Sequence, residues 1–364
     1  MDCVRPDTSG GARTMLFAIE WAENGLLPDT VIRAGMRRLM AQRLAAHHDQ
    51  PPSRRTAAFR DFVADLKSSP IAIHTHDANV QHYEVPAQFF HLHLGPRLKY
   101  SCCWYERGNE TLAQAEEAMM RIYAERAQLD KLKAGDRVLD LGCGWGSLSL
   151  WLAEHYPHLE IVGFSNSHGQ REFIEGRARE RGFQNLRIVT GNVATDPMPA
   201  DALKDGFNRV ISIEMFEHMR NYQLLLKKVR GWMTDDAKLF VHIFAHPTLA
   251  YPYEVKDKSD WMTQYFFLGG IMPNEHLLAQ FQDDMKLSNQ WWVDGTHYQK
   301  TAEHWLQGMD GNKAAVLATF QQCYGDDAER WVQRWRMFYM AVAEFFGYQH
   351  GSEWGVTHLL FDAR

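Results

Sequence analysis

The chain has 364 residues, 45% hydrophobic and 23% charged, a balance that excludes a disordered or low-complexity protein and, at about 150 residues per domain, predicts one elaborated domain or two. Lys and Arg total 39 against 45 Asp and Glu, a net charge of −6, which argues against nucleic acid as the main partner because phosphate binding needs a basic face. There is no apolar run of the ~18 residues that a membrane helix needs, no signal-peptide layout at the start, and an odd set of five cysteines without C-x-x-C, so a reducing, cytoplasmic setting is expected.

Residues 1–14 are rich in Gly, Ser, Asp and Arg and are read as frayed. A short helix is predicted over 15–24, broken by Gly25 and Pro28. A second is predicted over 28–48, with Ile32, Met36, Leu39 and Met40 on one side. It also carries Arg33, Arg37, Arg38 and Arg43, so it either presents a solvated face or lies on an anionic membrane. Pro51, Pro52 and Ser53 are read as a break before a helix over 57–67, where Phe59, Phe62, Val63 and Leu66 have helical spacing. His74, His76, Asp77, His82, His91 and His93 lack the pattern of a known metal site, and no metal is expected.

A helix over 111–129 opens with Thr111 and Gln114 at the spacing of a capping box. Beyond residue 136 the pattern changes. Apolar runs at 138–141, 161–164, 186–189, 210–213 and 239–244 are separated by helical stretches at 147–155, 170–181 and 222–232. This alternation predicts a parallel sheet with helices on both faces. After residue 244 the sequence is long, aromatic and mostly helical, and 356–361 reads as a last strand. The expected organisation is a helical extension or cap over 1–130 and an α/β core over 131–364. The core carries a helical, substrate-binding insertion over roughly 245–350.

The most specific local motif is Asp140-Leu141-Gly142-Cys143-Gly144-Trp145-Gly146, at the end of one predicted strand and the start of a helix. Glycines let a backbone approach a ligand closely, and a helix N-terminus offers unpaired N–H groups. A second cluster lies at the end of the fourth predicted strand, where open α/β sheets bind ligands. There Ser212-Ile213-Glu214-Met215-Phe216-Glu217-His218 places Glu214 three residues before Glu217 and four before His218. On a helix these three would project to one side.

The strand-end D-x-G-x-G-x-G resembles motif I of the class I S-adenosylmethionine-dependent methyltransferases, in which the loop wraps the amino-acid part of the cofactor. That resemblance implies a Rossmann-like α/β fold and S-adenosyl-L-methionine as cofactor. It places Gly142, Gly144 and Gly146 at the cofactor, with Ser165, Asn166 and Gln170 at its ribose or methionine end. Asn192 and the Val193 N–H would meet the adenine. The wider chain resembles the cyclopropane-fatty-acid synthase superfamily, and within it the coclaurine N-methyltransferase-like enzymes. The segments that carry this are His82–Pro86, Lys99–Cys103, the glycine loop, 163–170, 213–218, Gly269–Pro273, 305–310 and 335–348. The resemblance adds Tyr100, Ser101 and Ile213 as cofactor contacts, and Tyr83, Glu84, Trp335 and Phe338 as substrate contacts; Trp335 and Phe338 also read as core.

The two branches of that superfamily do different chemistry. A cyclopropane synthase methylates a lipid alkene and uses a bound bicarbonate. Its anion site is held by a Cys, a Glu, a His and a Tyr. Cys102, Glu217 and His242 match three of these, while the Tyr position falls at Leu306 and Phe244 intrudes. Glu214 stands where those synthases have Gly, and an added carboxylate disfavours an anion and favours an ammonium. The expectation is therefore N-methylation of a small, aromatic-containing amine, with Glu214, Glu217 and His218 as catalytic residues. His218 is the expected base, since an unperturbed imidazole titrates near ~6.5. The alternatives are a cyclopropane synthase or other fatty-acyl C-methyltransferase, under which membrane association follows, and a non-catalytic cofactor-binding module. Besides the amine, a second copy of the chain is an expected partner.

Overall fold

The computed structural model describes residues 9–73, 85–257 and 260–364, with side chains from residue 16 onward. The apolar runs become strands of one seven-stranded sheet. They are β1 (Arg137–Leu141), β2 (Glu160–Ser165), β3 (Leu186–Thr190), β4 (Phe207–Ile213), β5 (Met233–Ala245), β6 (Met285–Val293) and β7 (Gly355–Ala363), in the order β3-β2-β1-β4-β5-β7-β6. β1 to β5 are parallel; β7 runs antiparallel to both β5 and β6. β1 is buried at every position, as expected of a strand covered on both faces, which reads as a continuous apolar run. The strand order reverses between β1 and β4, so the C-terminal ends of these two strands flank the crevice where such sheets bind ligands.

β6 corrects the expected insertion. It lies inside the stretch read as helical and divides it into 246–284 and 294–354. As an edge strand it exposes Lys286 and the Ser288-Asn289-Gln290 run, so it has no apolar signature to read.

The N-terminal helices also differ in detail from expectation. α1 (Ser9–Glu23) is helical through residues read as frayed, and α3 (Pro52–Ser68) starts at Pro52. A proline in the first turn loses no needed N–H, so it opens the helix and does not break it. α2 (Asp29–His48) buries Ile32, Met40 and Leu44 but leaves Leu39 exposed. Its basic side is solvated at Arg37, Arg38 and Arg43, as the solvated-face reading expects, but three of its four arginines are also engaged within the chain. Arg33 pairs with Glu303 and Glu344, Arg37 with Glu344, and the Arg43 guanidinium lies 4.3 Å over the Tyr251 ring. Those glutamates sit on two helices of the second insertion piece, α10 (Gly295–Gly311) and α12 (Ala328–Phe346). Between these regions come α4 (Ala87–His91), α5 (Leu112–Arg126), α6 (Ser147–His155), α7 (His168–Glu180), α8 (Tyr222–Arg230) and α9 (Trp261–Phe266); α11 (Lys313–Tyr324) joins α10 to α12. Both arms of the capping box form at α5: Thr111 Oγ1 accepts from the Gln114 N–H, and Gln114 Oε1 accepts from the Thr111 N–H. α1, α2 and the helices of the insertion share a hydrophobic core on one face of the sheet; α3 packs through Leu66 into a second core on the other face, with Ile271, Leu277, Leu278 and Phe281.

Candidate active site

The glycine loop leaves β1 and enters α6. Gly142, Gly144 and Gly146 have φ of +86°, +50° and +79°, which a side chain disfavours. Their surroundings differ. A Cβ at Gly142 would come 2.8 Å from Met215 Cγ, and one at Gly146 would come 2.6 Å from Ile174 Cγ1. One at Gly144 would meet nothing within 4 Å. Gly142 and Gly144 line a cavity that extends across the ends of β1 and β4; Gly146 does not line it, and is required by the packing of α6 on α7. Ser147, first residue of α6, also faces the cavity, and its Oγ is buried without a partner among the described residues. Behind the loop, Asp140 accepts from Ser149 Oγ at 2.6 Å, and burial pushes its carboxyl up to about 7.

Tyr100, Ser101, Gln170 and Ile213 line the same cavity. Ser165, Asn166, Asn192 and Val193 are not among its lining residues. Ser165 Oγ bonds Gln170 Oε1 at 2.6 Å, both side chains being buried, so the serine holds the glutamine in place. Asn192 Oδ1 accepts the Ala194 N–H at 2.9 Å, closing its own turn. Tyr83 and Glu84 lie outside the described residues, as do His74, His76, Asp77 and His82.

The acidic turn is not the start of an α-helix. Glu214 has φ of +47°, and only Phe216–His218 form a short 3-10 turn. Glu214, Glu217 and His218 nevertheless all face the cavity. Glu214 is held by three donors: its Oε1 accepts the Cys102 N–H at 2.9 Å and His242 Nε2 at 3.0 Å, and its Oε2 accepts Tyr298 Oη at 2.5 Å. Burial raises its pKa, against the opposing pull of Lys99 and of these hydrogen bonds. Glu217 is 1% exposed, and its Oε2 has no hydrogen-bond partner among the described residues. Burial, and then the charge of Glu214, push its pKa well above the carboxylate range. Three donors on Glu214 favour its ionised form, whereas Glu217, with an unpartnered buried oxygen, favours its neutral form. The His218 ring stacks parallel to Phe267 at 6.0 Å. The Cys102 thiol is driven up by burial and stays neutral; what Cys102 gives the site is its backbone N–H.

The family described as mycolic acid cyclopropane synthetase matches residues 72–351. The chain belongs to this family. It is 37% identical over 344 residues to the (S)-coclaurine N-methyltransferase of Thalictrum flavum subsp. glaucum, covering 93% of both chains. A crystal structure of coclaurine N-methyltransferase bound to N-methylheliamine and SAH superposes with a TM-score of 0.90 at 35% identity, covering 96% of this chain and 99% of that one. The cyclopropane-fatty-acyl-phospholipid synthase of Escherichia coli K12 is 25% identical over 279 residues, 76% of this chain and 66% of that protein.

The far wall of the methyltransferase's cavity is aromatic. Phe244, Tyr253, Phe267, Phe338, Phe345 and Phe346 contribute to it, with Met262 and Met272. Phe338 lines the cavity and is also core, 4% exposed, so both of its readings apply. Trp335 does not line it: it is 1% exposed and packs against Phe89, Phe266 and Tyr339. The two lie three residues apart on one side of α12, so position along the helix axis, with Phe89 and Phe266 packed over Trp335, decides which reaches the site. Sequence reasoning also missed Tyr298. Leu306, the position read as a departure from the family's tyrosine, is buried core, while the hydroxyl at the acidic turn comes from Tyr298, two turns earlier on α10. Its only sequence signal is the shared helix face of Tyr298, Ala302 and Trp305, all buried.

Proposed function

We propose that this methyltransferase transfers the methyl group of S-adenosyl-L-methionine to the nitrogen of a small amine bearing an aromatic ring. The observation that carries the reading is the seat of Glu214. Three donors that could hold an external anion are filled by the chain's own carboxylate, fixed at the edge of an aromatic cavity. A tethered anion attracts an ammonium and repels bicarbonate. The coclaurine and pavine N-methyltransferases among the relatives act on amines of this kind by name. The lipid reading is weakened where Arg33 and Arg37 are paired with Glu303 and Glu344 of the chain itself, and among the described residues no helix is long and apolar enough to cross a membrane. A cytoplasmic setting rests on the cysteine pattern alone.

The residues present fit the cofactor. Gly144 leaves open space where a side chain would stand, and Ser147 Oγ is an orphan hydroxyl at a helix N-terminus facing that space. Gly142, Gly144, Ser147 and Gln170 would hold it, with Tyr100, Ser101 and Ile213 beside it. When bound, it supplies an electrophilic methyl on a sulfonium. The chain's own work is to orient the amine and take its proton. The aromatic wall positions the acceptor, and such positioning supplies on the order of ~7 kcal/mol of a displacement barrier. His218 accepts the ammonium proton, freeing the nitrogen lone pair that forms the new N–C bond. Glu217 lies against the cation that develops, and Glu214 keeps the site's potential negative.

The test is product formation from labelled cofactor across a panel of aromatic and aliphatic amines, with an unsaturated phospholipid as control, before and after removal of dissolved carbonate. Turnover of aromatic amines at an unchanged rate without carbonate is the expected result. Turnover confined to the lipid, or a rate that collapses without bicarbonate and returns with it, overturns the assignment.

A further inference from the structure

Behind Glu214, two chains of hydrogen bonds converge on His242. In the first, Lys99 Nζ lies 2.8 Å from Tyr123 Oη, which lies 3.0 Å from His242 Nδ1. An ammonium has only donors, so the phenol oxygen accepts from Lys99 and its own proton is left for His242. In the second, Arg126 Nη1 lies 2.5 Å from His358 Nδ1, and His358 Nε2 lies 2.8 Å from His242 Nδ1. A guanidinium also only donates, so a neutral His358 carries its proton on Nε2 and gives it to the same nitrogen of His242. Each chain can therefore place a donor at the single lone pair of His242 Nδ1, and either one alone suffices to occupy it. The proton of His242 is left on Nε2, 3.0 Å from Glu214 Oε1. Lys99, Tyr123, His242 and His358 are each at most 1% exposed; Arg126 is half-buried, with its guanidinium 5.1 Å over the Trp291 ring.

We propose that Lys99–Tyr123 and Arg126–His358 are two positioning chains that hold His242 as its Nε2–H tautomer, so that Glu214 always meets a donor and stays fixed beside the reacting site. The opposite tautomer would set a nitrogen lone pair against a carboxylate oxygen at the same distance, which expels or protonates the carboxylate. Burial together with Lys99 and Arg126 lowers the pKa of His242, and burial with the neighbouring cations lowers that of His358, so both imidazoles stay neutral. The Arg126–His358 chain transmits polarity and not protons, because a guanidinium does not give up its proton at physiological pH. The far end, Arg126, closes α5, and the edge strand β6 backs it with the Trp291 ring. The tautomer does not depend on the reading of the substrate; only its effect on rate rests on the amine-methylating reading above.

The experiment uses the full chain labelled with 15N-histidine, its imidazole tautomers read by long-range 1H–15N correlation from about pH 6 to 8. His242 and His358 are expected as neutral Nε2–H forms throughout. Arg126→Met removes one donor while keeping an apolar stem against Trp291, and Tyr123→Phe removes the other. Each alone should leave His242 in the Nε2–H form. The double variant should populate the Nδ1–H form beside the Nε2–H form, and lose about tenfold more kcat than the two single effects multiplied together. Tyr123→Phe with Arg126→Lys, which restores a donor, should recover both. Wild-type His242 found as Nδ1–H or imidazolium overturns the proposal, as does a folded double variant with an unchanged tautomer. If the double variant does not fold, the wild-type spectrum and the lysine-rescue pair decide. Failure of amine turnover would overturn the substrate assignment and leave the spectra as evidence on the chains.

Discussion

Two glutamates three residues apart in sequence have opposite electrostatic situations. Glu214 accepts three hydrogen bonds, so Glu214→Gln turns an amide N–H₂ toward donors and should cost about 1–3 kcal/mol of stability. The loss therefore extends beyond substrate affinity, which is all that an ammonium anchor read from sequence would govern. Urea unfolding measures it; an unchanged midpoint contradicts the tethering. Glu217 is the reverse. Its folded-state pKa is raised far above the ordinary 4.5, so above that value the folded state holds a proton that the unfolded chain releases. Wild-type stability from this group is complete below about pH 4.5 and is lost at up to ~1.4 kcal/mol per pH unit as pH rises toward the folded pKa. Glu217→Gln mimics the neutral acid and removes that slope, so its stability relative to wild type should increase between about pH 5 and 8; a pH-independent difference would refute the neutral acid. For the proton transfer, His218→Ala should lower kcat by about 10²–10⁴-fold. Near-normal kcat at a pH where free amine is abundant would mean that deprotonation occurs in solution.

At the level of elements, the strand-to-helix turn at β1 and α6 uses its glycines for two purposes. Gly144 faces open space, so Gly144→Val should abolish cofactor binding, with a backbone cost of about 1–2 kcal/mol from its positive φ. Gly146 is enclosed by Ile174, so Gly146→Ala should lower the unfolding temperature first, with cofactor affinity following only through the displaced helix. Calorimetric titration beside thermal unfolding separates the two. Full affinity in a folded Gly144→Val variant would remove this loop from the cofactor site. The acidic turn shows the same economy: a left-handed Glu214 lets β4 turn sharply into a 3-10 segment, so that Glu214 and Glu217 both reach the cavity without an intervening helix.

Long-range ion pairs tie the N-terminal helices to the insertion. Glu23 of α1 takes two hydrogen bonds from Arg334 of α12 and one from Trp261 of α9, with both ionic side chains about nine-tenths buried. Glu23→Ala strands a buried guanidinium and should cost about 3–5 kcal/mol, with faster proteolysis between α1 and α2 as a second readout; wild-type stability would show that the N-terminal helices are not clamped this way. Buried histidines set the acid side of the stability curve. His93, hydrogen-bonded to Tyr339 Oη at 2.6 Å, is lowered by burial to about 3, and His246 and His297 to about 4. Below about pH 6.5 the unfolded chain takes up protons that these folded imidazoles refuse, so stability is lost as pH falls toward the folded values. Asp140 and Glu116, both raised to about 7, act with the opposite sign between their unfolded values and pH 7. His93→Asn should therefore flatten the acid slope by up to one proton relative to wild type; parallel curves would place the charged imidazole in solvent.

Periodicity and punctuation were enough to read six of the seven strands, because β1, β2, β4 and the second half of β5 are largely buried and announce themselves as apolar runs, and because a D-x-G-x-G-x-G turn has few other uses at a strand end. The capping box at Thr111 and the last strand at Gly355–Ala363 were legible for the same local reason. Residues whose roles depend on partners far along the chain were not. β6 is polar because it is an edge, Pro52 starts a helix only because of its place in the first turn, and Arg33 is an ion-pair residue only because α2 lies on α10 and α12. The site divides the same way. Local order named Glu214, Glu217 and His218, but helical spacing was the wrong reason for their convergence. Folding alone sets Tyr298, His242 and the Cys102 N–H on one carboxylate, turns Phe338 inward and leaves Trp335 in the core. Hydrogen bonds between residues 28 to 112 positions apart have no period to read.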